Sequence, residues 1–302
     1  MTTAVDLEYD PRRRFHQVQR LQWLARRAVR DLLGGAYHSV FKGTGLAFDE
    51  VRPYAPGEDV RRIDWNVTAR MDEPFLKRFI EERERTVLLV LDASASLCFG
   101  TGHLTKRDAA AELAALLTFA ALANNDRVGL LLFSDQLELA LAPAKGQRHA
   151  LRVIREILWY TPRRRGTNLR QALDRLPRVV RRRAIVFVLS DFLDSGYEDA
   201  LRRASARHDL IAVRLSDPRE QTLPPVGLVH WRDAETDTPL LIDTTSLINR
   251  HAYQIQADEH AQRLRQITQA ANIDLVETQT DGDHLNALLR FFRSRLARAK
   301  RS

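Results

Sequence analysis

Five small oxygen-bearing side chains occur in this sequence at positions where they could bind one metal ion together. They are Asp92, Ser94, Ser96, Thr167 and Asp191. Two carboxylates offset the charge of a divalent cation, and three hydroxyls with water complete the shell of about six oxygens that Mg²⁺ requires. No histidine or cysteine is among them, which argues against zinc, copper and iron. The set therefore predicts a site for Mg²⁺, or for another hard divalent cation such as Mn²⁺ or Ca²⁺.

The elements that must position these residues are apolar strands. Thr86–Leu91, Arg127–Phe133 and Ala184–Ser190 are mostly continuous apolar runs, typical of strands buried on both faces. Asp92 follows the first of these runs and Asp191 follows the third. Sites in such folds form at the carboxyl ends of strands, near a switch in strand order. We therefore expect the predicted ligands to converge at one edge of a sheet.

The remaining patterns predict an α/β fold, a mostly parallel sheet with helices on both faces. Predicted helices are Thr105–Asn124, Arg148–Leu158, Leu169–Val180, Tyr197–Arg207, Tyr253–Ala271 and Leu285–Arg298, and further strands are Phe75–Phe79, Leu137–Leu141, Leu210–Leu215 and Ile273–Thr278. Val226–Trp231 and Pro239–Asp243 flank a turn-rich stretch and predict a β-hairpin insertion at about residues 226–244. Residues 85–302 are assigned to this domain.

Residues 1–84 are predicted to form an N-terminal segment that is helical at first and irregular later. Phe15–Leu33 has the apolar spacing of a helix, and Gly34 and Gly35 are expected to end it. Phe48–Arg70 then mixes opposite charges with aromatic residues. This stretch fits a salt-bridged structural clamp or a partner-binding surface, and its spacing leaves both interpretations open.

Composition limits the classes of protein to consider. The chain has 302 residues, 44% of them hydrophobic, which allows a sizeable core. No run reaches the roughly 18–20 apolar residues that cross a bilayer, and the start lacks a signal peptide's apolar region. We expect a cytoplasmic protein, with peripheral contact to the inner face of the membrane left open. The single cysteine, Cys98, excludes an internal disulfide and is expected to be a small buried filler.

The excess of 47 basic over 39 acidic residues is concentrated in clusters. Thr161–Ala184 contains nine arginines, and Arg290–Arg301 contains six basic residues. Such clusters attract nucleic acid, anionic lipid or an acidic protein, or form a solvated surface. Aromatic residues do not interleave with the arginines, and no nucleic-acid-reading motif is present, so a nucleic-acid partner is not favoured. Arg163–Arg165 lie directly before Gly166–Asn168, the segment that carries Thr167 and is called the threonine loop below, and they are predicted to steer an acidic partner.

The pattern Asp-x-Ser-x-Ser, followed later by a threonine loop and an aspartate, resembles the metal-ion-dependent adhesion site of von Willebrand factor A domains. The resemblance implies a von Willebrand factor A-like (Rossmann-type) fold with Asp92, Ser94, Ser96, Thr167 and Asp191 around the metal. It implies that Ser94 and Ser96 bind the metal directly, and that Thr167 and Asp191 do so directly or through water. It also implies one open coordination position for an acidic side chain of a protein partner.

Over roughly residues 10–298 the chain is similar to a narrower bacterial family, the domain-of-unknown-function 58 proteins. The matching segments are Gly45–Tyr54, Pro56–Asp59, Arg61–Asn66, Thr68–Arg70, Glu81–Glu84, Ser190–Phe192, Leu223–Gly227 and Asp233–Glu235. The resemblance implies an adaptor or co-chaperone that works with a MoxR-type AAA+ ATPase or its client. Leu97 stands where many relatives have methionine, an apolar change that conserves volume.

Enzymatic interpretations lack the residues that their chemistry needs. A haloacid-dehalogenase-type nucleophile at Asp92 requires a second carboxylate two residues later, where Ser94 stands. The P-loop motif, the dinucleotide-binding fingerprint and the G-x-S-x-G elbow are absent from the sequence. We predict a binding protein without catalytic residues. The alternatives are a basic adaptor for nucleic acid or an anionic membrane surface, and a metal-dependent hydrolase.

Overall fold

The structure is a computed structural model that describes residue 27 and residues 33–41, 47–55, 58–71, 73–80 and 84–300. The predicted helix Phe15–Leu33 lies outside the described residues except for its positions 27 and 33. From residue 86 onward, strands and helices alternate along the chain. This alternation, with the sheet order below, confirms the predicted α/β class.

The strands agree with the apolar and alternating patterns, apart from the first. They are β1 Ala47–Pro53, β2 Phe75–Ile80, β3 Thr86–Asp92, β4 Arg127–Phe133, β5 Leu137–Ala144, β6 Ile185–Ser190, β7 Asp209–Ser216, β8 Leu228–Arg232, β9 Pro239–Asp243 and β10 Asp274–Gln279. β1 pairs antiparallel with β2. It was missed because charged residues interrupt its pattern, so a two-stranded ribbon lies where an irregular stretch was expected.

The helices cover the sheet and begin close to the predicted positions in most cases. They are α1 Gly34–Val40, α2 Trp65–Met71, α3 Lys106–Ala123, α4 Gln147–Trp159, α5 Leu169–Asp174, α6 Leu176–Val179, α7 Glu198–Arg207, α8 Pro218–Gln221, α9 Leu247–Ala270 and α10 His284–Ala299. α3 begins with a capping box, in which the Thr105 side chain accepts from the Asp108 N–H and Asp108 accepts from the Thr105 N–H. This reciprocal pair defines where the helix starts.

The six-stranded sheet has the order β10-β7-β6-β3-β4-β5, and all neighbours are parallel except β4 and β5. The chain runs from β3 outward through β4 and β5, and then returns to the other side of β3 with β6. The strand order therefore switches between β3 and β6. A crevice forms at the carboxyl ends of the strands at such a switch, which is where ligands bind in open α/β sheets.

The core lies on both faces of this sheet, because successive residues of a strand point to opposite sides. In β3, Val87, Leu89 and Leu91 belong to one apolar cluster, while Leu88 and Val90 belong to the other. The first cluster includes residues of α3, α4 and α10, and the second includes residues of α5 and α7. With both faces covered, β3 is held rigidly enough to position the residues that follow it.

The expectation that Gly34 and Gly35 end a helix was wrong, because the two glycines are the first residues of the helix α1. Leu33, Tyr37 and Phe41 are all buried at helical spacing, and α1 packs against α3 and α10. A glycine inside a helix costs only about 1 kcal/mol relative to alanine. Burial of three large side chains outweighs that penalty.

The helix predicted over Leu169–Val180 is divided into α5 and α6 at Arg175. Pro177 lies in the first turn of α6, where its missing N–H does no harm. Inside a continuous helix, the same proline would remove a hydrogen bond and clash with the preceding turn. A single helix was therefore the wrong prediction for this stretch.

The last long helix, α9, begins at Leu247, before the predicted Tyr253. Ser246 is its N-cap, and the Ser246 side chain accepts from the Asn249 N–H. The exposure of Leu247 and Ile248 hid this first turn from a search for apolar periodicity. Local capping, and not burial, determines where α9 starts.

Cys98 was predicted to be buried, but it is exposed at the end of the short 3-10 helix Ala95–Cys98. The neighbouring Leu97 fills the interior position instead and is fully buried. In the charged stretch, Asp64 is buried and Trp65 is 69% exposed. Asp59 accepts a hydrogen bond from the Arg61 N–H and thereby caps a 3-10 turn. The stretch is partly structural and partly surface, so both interpretations of it stay open.

Candidate metal centre

Two buried carboxylates stand at the carboxyl ends of adjoining strands. Asp92 is the last residue of β3 and is 0% exposed, and Asp191 follows β6 and is 3% exposed. Asp92 accepts hydrogen bonds from the Ser94 N–H (2.8 Å) and from the Ser190 hydroxyl (2.7 Å). Ser190 is the last residue of β6, so it connects the two strand ends directly.

Burial of Asp92 raises its pKa from 3.8 to about 7, and the charge of Asp191 adds to this rise. The hydrogen bonds from Ser94 and Ser190 act in the opposite direction but are weaker in effect. Burial and a like charge nearby both disfavour the ionised form of Asp92. The strand ends therefore provide a place where added positive charge is favourable.

The predicted hydroxyl ligands lie at the same edge. Ser94 is buried, and its Oγ lies 3.0 Å from the Oγ of Ser96. The loop that carries Thr167 is tied to this segment, because the Ala95 N–H donates to the Arg165 carbonyl (2.9 Å). The structure therefore brings Ser94 and Ser96 beside Asp92, and it brings the threonine loop against them.

The threonine loop is also tied to the segment that follows Asp191. The Leu169 N–H donates to Asp194 Oδ2 at 2.9 Å. At the start of the loop, Glu138 accepts from the Tyr160 hydroxyl (2.9 Å) and from the Arg163 N–H (3.1 Å). These contacts tie the loop and its flanks to β5 and to the segment after β6, and they limit where Thr167 can lie.

Phe192, directly after Asp191, has a backbone φ of 58°. This left-handed conformation is strained for a bulky residue, typically by about 1–3 kcal/mol. The Phe192 side chain is fully buried, and its N–H donates to the Ser190 hydroxyl (3.1 Å). Burial of the Phe192 side chain holds this strained turn in place directly after Asp191.

Lys106 is a member of this site that the sequence analysis missed. It is the first residue of α3 and is 1% exposed, and its Nζ donates to Asp191 Oδ2 (2.7 Å) and to Glu220 Oε1 (2.6 Å). Burial alone would lower the pKa of Lys106, but the charges of Asp191 and Glu220 outweigh it and raise that pKa. A lysine in a first helical turn opposes the helix dipole. This unfavourable position is the sequence signal from which Lys106 could have been recognised as a site residue.

Glu235 is the second residue that was missed. It lies in the turn of the β8–β9 hairpin, and its Oε1 accepts a hydrogen bond from the Thr167 hydroxyl at 2.6 Å. Burial raises the pKa of Glu235, hydrogen bonds from Thr167 oppose the rise, and the charge of Asp191 adds to it. Its segment, Asp233–Glu235, was noted for family resemblance, but no local pattern connects it with a loop 68 residues away.

The donor chemistry of the site fits a hard cation better than a soft one. Its side chains offer carboxylate and hydroxyl oxygens, which Mg²⁺, Mn²⁺ and Ca²⁺ prefer. Across residues 84–300 and the shorter described stretches before them, no group of three or more His, Cys, Asp or Glu side chains could hold a metal ion. A metal at the strand ends would therefore depend on the serine and threonine hydroxyls. The assignment of the five predicted ligands stays a prediction.

Residues 50–263 match the family model described as "Protein of unknown function DUF58". The "Uncharacterized protein Rv1480" of Mycobacterium tuberculosis strain H37Rv is 33% identical over 278 residues, which cover 91% of this chain and 87% of that protein. This chain belongs to the DUF58 family. The predicted family is thereby confirmed, and the family's description assigns no activity to the crevice.

Solved structures similar to this DUF58 protein are more distant. An aerotolerance-related membrane protein from Bacteroides fragilis is 15% identical, with a TM-score of 0.49, and the match covers 71% of this chain and 99% of that one. A von Willebrand factor type A protein from Catenulispora acidiphila is 10% identical, with a TM-score of 0.42, over 74% of this chain and 43% of that one. Within the described residues of the DUF58 protein, no helix has the length and apolarity needed to span a bilayer.

Proposed function

We propose that this DUF58 protein is a non-enzymatic, metal-dependent adaptor that binds a protein partner through the crevice at the ends of β3 and β6. The observation that carries the proposal is the buried pair Asp92 and Asp191 at neighbouring strand ends. Ser94, Ser96 and Thr167 would complete the set that holds Mg²⁺. When bound, the cation supplies positive charge and one coordination position for a partner's carboxylate.

The charges around the crevice support this proposal. Asp191 is already paired with Lys106, which also contacts Glu220. The hydrogen bonds to Asp92 come from neutral donors, the Ser94 N–H and the Ser190 hydroxyl. The Lys106 ammonium is therefore shared by two carboxylates, and Asp92 receives no charged donor in these contacts. A buried excess of negative charge is costly unless a cation offsets it.

The surface beside the crevice favours an acidic partner. Arg163, Arg164 and Arg165 are exposed, directly before the threonine loop. Exposed charges of one sign raise association rates with an oppositely charged partner. These arginines would bring an acidic segment to the crevice, where one of its carboxylates completes the contact.

The partner that family resemblance favours is a MoxR-type AAA+ ATPase, or a client of that ATPase, with this chain acting as co-chaperone or adaptor. We place the protein in the cytoplasm or at the inner face of the membrane. The test is co-elution of the purified chain with the MoxR-type ATPase of the same genome, in Mg²⁺ and in EDTA. The complex should form in Mg²⁺, and it should be lost in EDTA and in Asp92→Ala.

Glu84→Ala is the matched control for loss of one carboxylate. Glu84 is half-exposed and precedes β3, so it lies at the opposite end of the strand from Asp92. A strand of seven residues separates the two positions by roughly 20 Å. This control should bind the ATPase like the wild type. Equal binding in Mg²⁺ and EDTA, or by Asp92→Ala, would refute a metal-bridged contact.

A second candidate function is binding to nucleic acid or to an anionic membrane through the basic cluster Thr161–Ala184. Eight of its nine arginines are exposed: Arg163, Arg164, Arg165, Arg170, Arg178, Arg181, Arg182 and Arg183. Binding of this kind weakens steeply with added salt and does not need a divalent cation. Binding to duplex DNA or phosphatidylserine vesicles that is salt-sensitive and unaffected by EDTA or Asp92→Ala would support it.

A further inference from the structure

The hairpin turn between β8 and β9 directs a single side chain toward the crevice. Of residues 232–241, only Glu235 is not exposed. Its carboxylate reaches the Thr167 hydroxyl at 2.6 Å, and its other oxygen lies 3.8 Å from the position that a Cβ on Gly166 would occupy. The turn therefore lies against the threonine loop, with its one partly buried carboxylate facing inward.

The turn is organised by its own hydrogen bonds. Asp233 Oδ1 accepts from the Glu235 N–H (3.0 Å) and from the Thr236 N–H (2.7 Å). The Asp233 N–H donates to the Thr238 carbonyl (3.0 Å), which closes the turn. Glu235 is therefore presented by a preformed loop, and little conformational entropy is lost when it contacts the crevice.

Besides the hydrogen bond between Thr167 and Glu235, the turn is held against the body of the protein by a weak ion pair. Asp237 lies 3.5 Å from Arg165, beside the threonine loop. Asp237 also lies 3.5 Å from Arg232 of β8, but this second pair lies within the hairpin itself. All three side chains are at least half-exposed, and ion pairs in such settings contribute little. The geometry fits a turn that can leave the crevice without unfolding the domain.

Glu235 lies where the proposed function expects the carboxylate of a partner. A partner's carboxylate is expected beside Thr167 and Asp191, and the Glu235 carboxylate already contacts Thr167 and interacts electrostatically with Asp191. Two carboxylates in one crevice without a cation repel each other. With a cation between them, the same placement becomes favourable.

We propose that Glu235 is an internal ligand of the crevice, which occupies the partner's coordination position until an acidic residue of the partner displaces it. This inference rests on the proposed function, because it assumes a cation at Asp92 and Asp191. It adds a residue that the adhesion-site pattern does not contain. It also gives the hairpin a role as a cap that competes with the partner.

The test uses Mn²⁺ alone as the probe, and acetate as a minimal carboxylate. Water ligands on protein-bound Mn²⁺ are counted by electron-nuclear double resonance in wild type, Glu235→Ala, Glu235→Gln and the control Glu84→Ala. Glu235→Ala should have one more water than wild type and should bind Mn²⁺ about tenfold more weakly. Acetate should displace that extra water in Glu235→Ala, whereas it should leave the wild-type and Glu84→Ala counts unchanged.

A second readout does not depend on coordination counting. Amide hydrogen exchange of residues 232–238 should slow when Mn²⁺ is added to wild type, because the cation holds the turn through Glu235. The slowing should be absent in Glu235→Ala, although the strands of the central sheet stay protected.

The outcomes separate the two proposals. If wild type binds Mn²⁺ and Glu235→Ala shows the same water count, affinity and acetate response, Glu235 is only a structural hydrogen-bond partner of Thr167 and the inference is wrong. If the folded wild type binds no Mn²⁺, the proposed function fails and the inference fails with it. Glu235→Gln keeps the size of the side chain and removes its charge. It therefore shows whether an effect of Glu235→Ala comes from the lost carboxylate or from a misfolded turn.

Discussion

Removing the Asp92 charge should stabilise the metal-free protein while abolishing its stabilisation by Mg²⁺. The pKa of Asp92 in the fold is about 7, against a usual 3.8, because of burial and the charge of Asp191. One pKa unit corresponds to about 1.4 kcal/mol, so the ionised carboxylate lowers stability by about 4 kcal/mol. Asparagine can replace it, because its oxygen can accept from the Ser94 N–H and its amide can donate to Ser190.

The sign of the pH dependence follows from the raised pKa. Between about pH 4 and pH 7 the folded state binds a proton at Asp92 that the unfolded state has released. Stability from this group therefore falls as pH rises through that window, and it is lowest above pH 7. In EDTA, the advantage of Asp92→Asn over wild type should be near zero at pH 4 and should reach about 2–4 kcal/mol at pH 8.

Urea unfolding of both proteins in EDTA and in Mg²⁺, from pH 4 to pH 8, measures this difference. At a Mg²⁺ concentration 100 times the dissociation constant, wild type should gain about 2.7 kcal/mol, whereas Asp92→Asn should gain nothing. The reasoning is refuted if Asp92→Asn is less stable than wild type in EDTA at pH 8. It is refuted equally if the difference between the two proteins does not change with pH.

Three further variants test other contacts. Tyr37→Phe should cost about 1–3 kcal/mol in urea unfolding, because Asp126, buried at 5% exposure, loses the 2.8 Å hydrogen bond from the Tyr37 hydroxyl; an unchanged midpoint would show that this bond does not hold α1. Lys106→Met should destabilise the EDTA-treated protein by about 3–5 kcal/mol, since it leaves the buried Asp191 without the Lys106 ammonium; calorimetry that shows no loss of stability would contradict this. Replacing all of Arg163–Arg165 with serine should slow association with the ATPase and flatten its salt dependence in stopped-flow measurements, and unchanged rates would remove their steering role.

Stabilisation by loss of a site residue would itself be informative. Substitution of a residue that serves packing lowers the stability of the protein. Substitution of a residue that serves binding often raises it, because the bound ligand normally offsets the unfavourable burial of that residue. Asp92 is fully buried and accepts two hydrogen bonds. A packing role and a binding role therefore predict opposite signs for the same substitution.

Local pattern was sufficient wherever one segment determines its own structure. β3, β4 and β6 were predicted to within about a residue, because continuous apolar runs are typical of strands buried on both faces. The start of α3 followed from the Thr105 and Asp108 capping box. The adhesion-site pattern also selected residues that the fold gathers at one edge, since strand ends are predictable once strands are.

Local sequence pattern failed where contacts with distant segments determine the structure. α1 begins with two glycines and is helical because Tyr37 and Phe41 are buried against the domain. β1 carries charged residues that concealed its alternation, and it is a strand because β2 lies beside it. In both cases the energy that decides the structure comes from a distant segment.

The sequence alone determined most of the strands and helices after residue 85 and the oxygen-bearing residues that follow them, because periodicity, capping and turn residues act over a few neighbouring positions. Tertiary structure alone decided that Lys106 contacts Asp191, 85 residues away, and that Glu235 contacts Thr167, 68 residues away. Such contacts depend on strand order and on the path of a hairpin across the sheet edge. The spacing of residues along the chain does not show either of these. The charge balance of the crevice and the presence of Glu235 in it are therefore seen only in the folded protein.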